Sequence, residues 1–175
     1  MLSNKELLAQ SWRALQADSV QKLAERLRAQ GAQLASAESC TGGLIAAACT
    51  DLAGSSDWFE RGFVTYSNAA KAELLGVPPE SIAQHGAVSE PVARAMAEGA
   101  LRRSHAQLSV AVTGVAGPGG GSADKPVGTV WFAWCADGRT ESQRMRFDGD
   151  RAAVRAQTVL HALQGLLNRL PAPAV

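Results

Sequence analysis

The chain has 175 residues, which falls within the ~100–200 residues typical of one domain, and its charges nearly cancel at a net charge of +1. Basic and acidic residues are interspersed, which argues against a polyanion-binding surface and therefore against nucleic acid as a partner. The three cysteines are odd in number and lack C-x-x-C spacing, which argues against a disulfide framework or a thiolate zinc site. The N-terminus is polar and no apolar run approaches 18 residues, so we expect a cytoplasmic protein that does not interact with a membrane.

Capping residues and hydrophobic periodicity predict the elements in chain order. Ser3 and Glu6 form an S-x-x-E capping box, Asp18 and Ser19 indicate a restart, and Gly31 is a typical helix stop. The first half is predicted as helices over 3–17 and 19–30, a strand over 33–37, a helix from about 42, a strand over 58–66, and helices over 68–75 and after Pro79. The second half is predicted as a helix over 89–104, strands over 108–112, 128–136 and 140–147, and a helix over 150–170.

The order of these elements predicts the fold class. Helices and strands alternate early, and two adjacent strands come late, the last of them half exposed and antiparallel. We therefore expect a single α/β domain over residues 1–175, with three α/β/α layers and a mixed sheet covered by helices on both faces.

Residues 37–43, Ala-Glu-Ser-Cys-Thr-Gly-Gly, place a serine where a strand passes into a helix. A hydroxyl there is held by rigid backbone and faces the positive end of the helix dipole, where a nucleophile or an anion site can be built. Ser39 does not match the G-x-S-x-G elbow, because Ala37 and Thr41 stand at the glycine positions. The alternatives are an N-cap serine without chemistry and Cys40 as the nucleophile.

A second glycine-rich segment, residues 113–121, follows another apolar strand. It lacks the lysine of a P-loop, and Asp124 stands where a dinucleotide fingerprint has its third glycine. The segment is therefore either a flexible connection or a backbone that approaches an anionic ligand closely. Ser122 and Lys125 match S-x-x-K, but they lie in a loop and we treat that match as chance. Two glycine-containing loops in one domain favour a small-molecule site.

Tyr66 and Lys71 follow the strand over 58–66. Lys71 is either a solvated helical lysine or a base whose pKa is lowered by burial and which activates Ser39 with Tyr66 as a relay. A Ser-His-Asp triad through His85 is the alternative. The sequence contains no H-E-x-x-H motif, and we expect no metal.

Taken together, these segments resemble the CinA C-terminal domain family, the nicotinamide-nucleotide amidohydrolases. The resemblance spans residues 34–147 and rests on AESCTGG at 37–43, GSS at 54–56, VTYSN at 64–68 with Lys71, GAVSE at 86–90, TGVAGPGG at 113–120 and KPVGT at 125–129. Val115 stands where isoleucine is common in the family.

The resemblance implies hydrolysis of nicotinamide mononucleotide (NMN) to nicotinate mononucleotide and ammonia in pyridine nucleotide recycling, without a cofactor and by a homodimer. The family nucleophile corresponds to Ser39, and the assisting groups correspond to Tyr66 and Lys71. Thr113 matches a hydroxyl that lines the same pocket. We expect further substrate contacts from Glu38, Cys40, Thr41, Gly42, Gly43, Gly114, Gly117, Gly119 and Gly120, with one loop holding the oxyanion and the other the phosphate, in either order.

Two other functions stay open. The chain could be a nucleotide-binding or regulatory module, related to competence or DNA damage, that does no chemistry. It could also be a serine amidase for another small amide. The presence of Ser39, Tyr66 and Lys71 together favours catalysis over the binding module. Longer family members carry an N-terminal nucleotide-pyrophosphatase domain, an activity that we do not expect of this chain.

Overall fold

The computed structural model describes residues 3–170, which form one five-stranded sheet and the helices around it. In chain order the elements are α1 (Asn4–Gln30), β1 (Leu34–Glu38), α2 (Leu44–Thr50), a short 3-10 helix (Ser55–Asp57), β2 (Phe59–Val64), α3 (Asn68–Leu75), α4 (Pro79–His85), α5 (Glu90–Arg102), β3 (Leu108–Gly114), β4 (Thr129–Ala136), β5 (Arg139–Arg146) and α6 (Arg151–Leu167).

The strand order in the sheet is β2-β1-β3-β4-β5. β1 pairs in parallel with both β2 and β3, whereas β4 is antiparallel to β3 and β5 is antiparallel to β4. Exposed and partly buried residues alternate over the first five residues of β5, and the alternation shifts by one residue where Gln143 and Arg144 are both exposed. The predicted mixed sheet and its half-exposed antiparallel strand are thus confirmed.

Two hydrophobic clusters lie on the two faces of the sheet. Alternate residues of β3 separate them, since Val110 and Val112 pack into one cluster and Ala111 into the other. Side chains of α1, α2 and α6 complete the first cluster, including Leu23 and Leu163. Side chains of α3, α4 and α5 complete the second. The three-layer α/β/α arrangement is therefore confirmed.

The first helix differs from the prediction. It runs unbroken through Asp18 and Ser19, so the predicted restart there is wrong. Ser19 is accommodated inside the helix, where its hydroxyl donates to the Leu15 carbonyl at 2.8 Å, and Asp18 pairs on the exposed face with Lys22 at 2.7 Å. The predicted capping box at Ser3 and the stop at Gly31, with a left-handed φ of 59°, are both confirmed.

The parallel strands decide where a site can form. β1 ends at Glu38, β2 at Val64 and β3 at Gly114, and the carboxyl ends of parallel strands meet at one edge of a sheet. The loop at residues 39–43, the segment that contains Tyr66 and the glycine-rich loop at residues 113–121 follow these strands and therefore converge at this edge. Within residues 3–170, no helix combines the length and the apolar character needed to cross a membrane.

Candidate active site

Ser39 lies immediately after β1, and its backbone amide donates to the Val112 carbonyl of β3 at 3.1 Å. Its side chain is largely buried. The Ser39 Oγ and the Lys71 Nζ lie 3.1 Å apart, within hydrogen-bond distance. The two groups that the sequence places 32 residues apart are therefore in direct contact.

Lys71 projects from α3 and is 1% exposed. Its Nζ also donates to the carbonyls of Thr65 at 2.8 Å and Tyr66 at 3.4 Å, which uses both N–H groups of a neutral amine and leaves its lone pair for the Ser39 hydroxyl. All three partners are uncharged oxygens. Burial lowers the pKa of Lys71, because desolvation disfavours the ammonium form. A neutral amine beside a serine hydroxyl can accept its proton, so this pair has the geometry of a nucleophile and its base.

The Glu38 carboxylate is fully buried under the N-terminus of α2. Both of its oxygens are occupied by protein donors, which satisfies the first amides of that helix. The donors are the hydroxyl of Thr41 at 2.7 Å, the amides of Gly43 at 3.0 Å, Ile45 at 3.0 Å and Ala46 at 2.9 Å, and the hydroxyl of Ser36 at 3.3 Å. Glu38 thus supports the loop that carries Ser39 from inside the protein.

We call residues 39–43 the nucleophile loop. Three of its amides are engaged within the protein, since Ser39 donates to the Val112 carbonyl, Gly42 donates to the Ser39 carbonyl at 3.1 Å and Gly43 donates to Glu38. Within residues 3–170, the amides of Cys40 and Thr41 take no protein oxygen as acceptor. An amide without a protein oxygen acceptor can donate to a developing oxyanion.

The Cys40 side chain is buried beside Ser39. Burial raises the pKa of Cys40 to about 12, which keeps the thiol protonated at neutral pH. The reactive form of a cysteine is the thiolate, so the geometry and the protonation state favour Ser39 over Cys40 as the nucleophile.

A cavity of about 210 Å³ opens in front of the Ser39–Lys71 pair. Thr113 lies in its wall at 1% exposure, and its hydroxyl donates to the Ala87 carbonyl at 2.8 Å. The lining residues are Ser39, Cys40, Tyr66, Asn68, Lys71, Ala87, Val88, Thr113, Gly114, Ala116 and Arg151. The fold thus brings the predicted serine, tyrosine, lysine and threonine to one cavity.

Tyr66 lies at the mouth of this cavity and is 64% exposed. Its hydroxyl accepts a hydrogen bond from the Arg151 Nη2 at 3.2 Å, while its carbonyl accepts one from Lys71. Ser39 and Lys71 contact each other directly, so a proton can pass between them without a relay through the phenol.

Arg151 and Arg155 were not singled out from the sequence. The Arg151 Nη1 donates to the Gly117 carbonyl at 2.9 Å, and the Arg155 Nη2 donates to the Thr41 carbonyl at 2.7 Å. Arg151 is the first residue of α6, where the helix dipole disfavours cations, and Arg155 follows one turn later. Two arginines at such a helix start are the signal that could have indicated an anion nearby.

A second, open cavity of about 620 Å³ adjoins the first, and Ala116 and Arg151 line both. Gly117 lines the second cavity, and Gly119 and Gly120 lie in the exposed part of the glycine-rich loop. The Lys125 Nζ donates to the His85 carbonyl at 2.8 Å and joins this loop to the end of α4. His85 itself is exposed and is not among the residues that line the first cavity.

The three cysteines are free and buried. Among the residues that the structure describes, no three His, Cys, Asp or Glu side chains come close enough to hold a metal ion.

The fold and the site define an α/β domain in which a serine–lysine pair faces a small cavity. A family model described as the CinA C-terminal domain matches residues 16–170. The chain belongs to this family, and the resemblance found in the sequence is confirmed.

Individual relatives agree with this assignment. The nicotinamide-nucleotide amidohydrolase PncC of Escherichia coli is 56% identical over 147 residues, which cover 83% of this chain and 89% of that protein. The protein of the same name from Pseudomonas putida is 59% identical over 146 residues, covering 83% of this chain and 91% of its own length. The crystal structure of competence damage-inducible protein A from Klebsiella pneumoniae matches with a TM-score of 0.85 and 42% identity, covering 88% of this chain and 96% of that one.

Proposed function

We propose that this chain is a nicotinamide-nucleotide amidohydrolase that converts NMN and water to nicotinate mononucleotide and ammonia in pyridine nucleotide recycling. The observation that carries the proposal is the 3.1 Å contact between the Lys71 Nζ and the Ser39 Oγ at the wall of a cavity. Relatives that bear this enzyme name share more than half of their aligned residues with the chain, which supports the choice of substrate. The homodimer and the cytoplasmic location stay predictions.

In the first half of the reaction, neutral Lys71 takes the Ser39 proton and the Ser39 Oγ attacks the carboxamide carbon. The amides of Cys40 and Thr41 stabilise the oxyanion of the tetrahedral intermediate. The Lys71 ammonium then gives its proton to the amide nitrogen, the carboxamide C–N bond breaks, and ammonia leaves while Ser39 stays esterified by the carboxyl carbon of the nucleotide.

In the second half, Lys71 is neutral again and takes a proton from water. The resulting hydroxide attacks the ester carbon, the C–O bond to Ser39 breaks, and the proton on Lys71 returns to the Ser39 Oγ. Burial of Lys71 favours this cycle, because a lowered pKa increases the fraction of neutral amine near pH 7.

The nucleotide part of NMN extends from the first cavity toward the second. Arg151 lines both cavities, so its guanidinium can pair with the phosphate while the carboxamide lies at Ser39. We therefore assign the oxyanion to the nucleophile loop and the phosphate to Arg151 together with the glycine-rich loop. The Tyr66 hydroxyl accepts a hydrogen bond from Arg151, and we assign it the role of orienting that guanidinium at the cavity mouth.

The test is ammonia release from NMN by EDTA-treated protein. We compare wild type with Ser39→Ala and with Ser109→Ala, a buried serine of β3 whose hydroxyl donates to the Ala97 carbonyl at 2.7 Å, outside the cavity. Wild type and Ser109→Ala should release ammonia and Ser39→Ala should not. Mass spectrometry of quenched wild type should find Ser39 esterified by the carboxyl group of nicotinate mononucleotide, with the ribose phosphate still attached.

Turnover by Ser39→Ala would contradict the proposed nucleophile. A folded wild type that hydrolyses only other small amides would indicate the serine amidase, and one that binds NMN without releasing ammonia would indicate the non-catalytic module.

A further inference from the structure

Arg155 approaches the nucleophile loop from α6. Its Nη2 donates to the Thr41 carbonyl at 2.7 Å, and a Cβ added to Gly42 would lie 3.7 Å from the same nitrogen. The Arg155 Nε is buried and has no hydrogen-bond partner in the structure. This guanidinium is therefore held against the loop backbone, and Arg155 lines the second cavity with Arg151 but does not line the first.

Hydrogen bonds connect this contact to the nucleophile through two peptide groups. The carbonyl of Thr41 shares its peptide group with the amide of Gly42, which donates to the Ser39 carbonyl at 3.1 Å. The carbonyl of Ser39 in turn shares its peptide group with the amide of Cys40. A cation that donates at the start of such a chain polarises each peptide in the same sense and strengthens the last N–H as a donor.

The Cys40 amide at the end of this chain has the properties of an oxyanion donor. It belongs to the residue directly after the nucleophile, a position that supplies this donor in other serine hydrolases, and it takes no protein oxygen in the described structure. Gly42 has a left-handed φ of 59°, which lets the loop turn back so that its amide reaches Ser39.

We infer that Arg155 is a positioning residue, which holds and polarises the Cys40 amide through the Thr41–Gly42 and Ser39–Cys40 peptides. The inference rests on the proposed reaction at Ser39. Arg155 also lines the second cavity, and we assign its effect on the rate to the backbone contact rather than to a contact with the nucleotide. Loss of Arg155 should therefore slow the reaction at Ser39 more than it weakens binding of the nucleotide.

The test uses two readouts on the same variants. The first is the rate at which a small alkyl fluorophosphonate without a nucleotide part labels Ser39; the Ser39 Oγ bonds to phosphorus, fluoride leaves, and the serine proton goes to Lys71. The second is the kcat and KM for NMN. The variants are Arg155→Met, Arg155→Lys and, as a matched control, Arg26→Met, whose guanidinium donates to the Leu167 carbonyl at 2.8 Å far from the loop.

Removing a complete oxyanion donor costs about 10²–10³ in rate, and Arg155→Met weakens one donor without deleting it. We expect labelling and kcat to fall about tenfold in Arg155→Met, with KM changed less than about twofold. Arg155→Lys, which keeps a cationic donor, should recover most of the loss. Arg26→Met should behave as wild type in both readouts.

Unchanged labelling and kcat in folded Arg155→Met would overturn the inference, as would a rise in KM alone, which would assign Arg155 to nucleotide binding. If wild type is labelled at Ser39 but does not hydrolyse NMN, the proposed function fails and the labelling rates still decide the role of Arg155. Absence of labelling in folded wild type would overturn both. If Arg155→Met does not fold, Arg155→Gln replaces it with the same expected loss.

Discussion

Replacing Glu38 by glutamine should destabilise the protein by about 2–5 kcal/mol. In its least costly orientation, the new amide oxygen takes the position of the Oε2, which bonds to Thr41, Gly43 and Ile45. The amide nitrogen then faces the Ala46 N–H and loses a bond of 2.9 Å. A hydrogen bond to a charged group contributes about 1.5–3 kcal/mol, and a negative charge at a helix N-terminus adds about 0.3–2 kcal/mol.

Urea unfolding followed by far-UV circular dichroism measures this loss, provided that the m-value stays unchanged. Glu80→Gln is the matched control, because Glu80 is an exposed acid in the first turn of α4 and should cost less than about 0.5 kcal/mol. A loss below about 1 kcal/mol in Glu38→Gln would refute the reasoning, since the buried carboxylate would then not be fixing the start of α2.

Three further predictions concern the lysine, a packed glycine and the arginine at the cavity mouth. Because burial lowers the pKa of Lys71, unfolded wild type binds more protons than folded wild type between that lowered pKa and the ordinary value of 10.5. The unfolding free energy of wild type relative to Lys71→Met should therefore rise with pH across this window in urea titrations, and a constant difference would contradict the lowered pKa. Gly165→Ala should lose about 1–3 kcal/mol in the same assay, because its Cβ would lie 2.2 Å from the Trp134 ring; a neutral result would show that the ring can move aside. Arg151→Ala should raise the KM for NMN about tenfold or more, with a smaller effect on kcat, and steady-state kinetics with an unchanged KM would argue against a phosphate contact.

The sequence by itself determined the elements that depend on local signals. Helix α3 spans the predicted range 68–75 and is capped by Ser67 and Gly76. The alternating pattern in β5 matches the half-exposed position of that strand. The restart predicted at Ser19 failed, because a serine hydroxyl can bond to the carbonyl four residues earlier and remain inside a helix. The six segments between residues 37 and 129, taken together in order, were also sufficient to indicate the family.

The tertiary structure alone decided which of these groups meet. The contact of Ser39 with Lys71 spans 32 residues and that of Thr41 with Arg155 spans 114, so both depend on the order of the parallel strands and on where α6 packs. The same packing brings the Glu38 carboxylate into hydrogen bonds with α2 and the Tyr66 hydroxyl into a hydrogen bond with Arg151. It also buries Lys71. A lowered pKa follows from burial, and burial is a property of the assembled layers that no local sequence pattern contains.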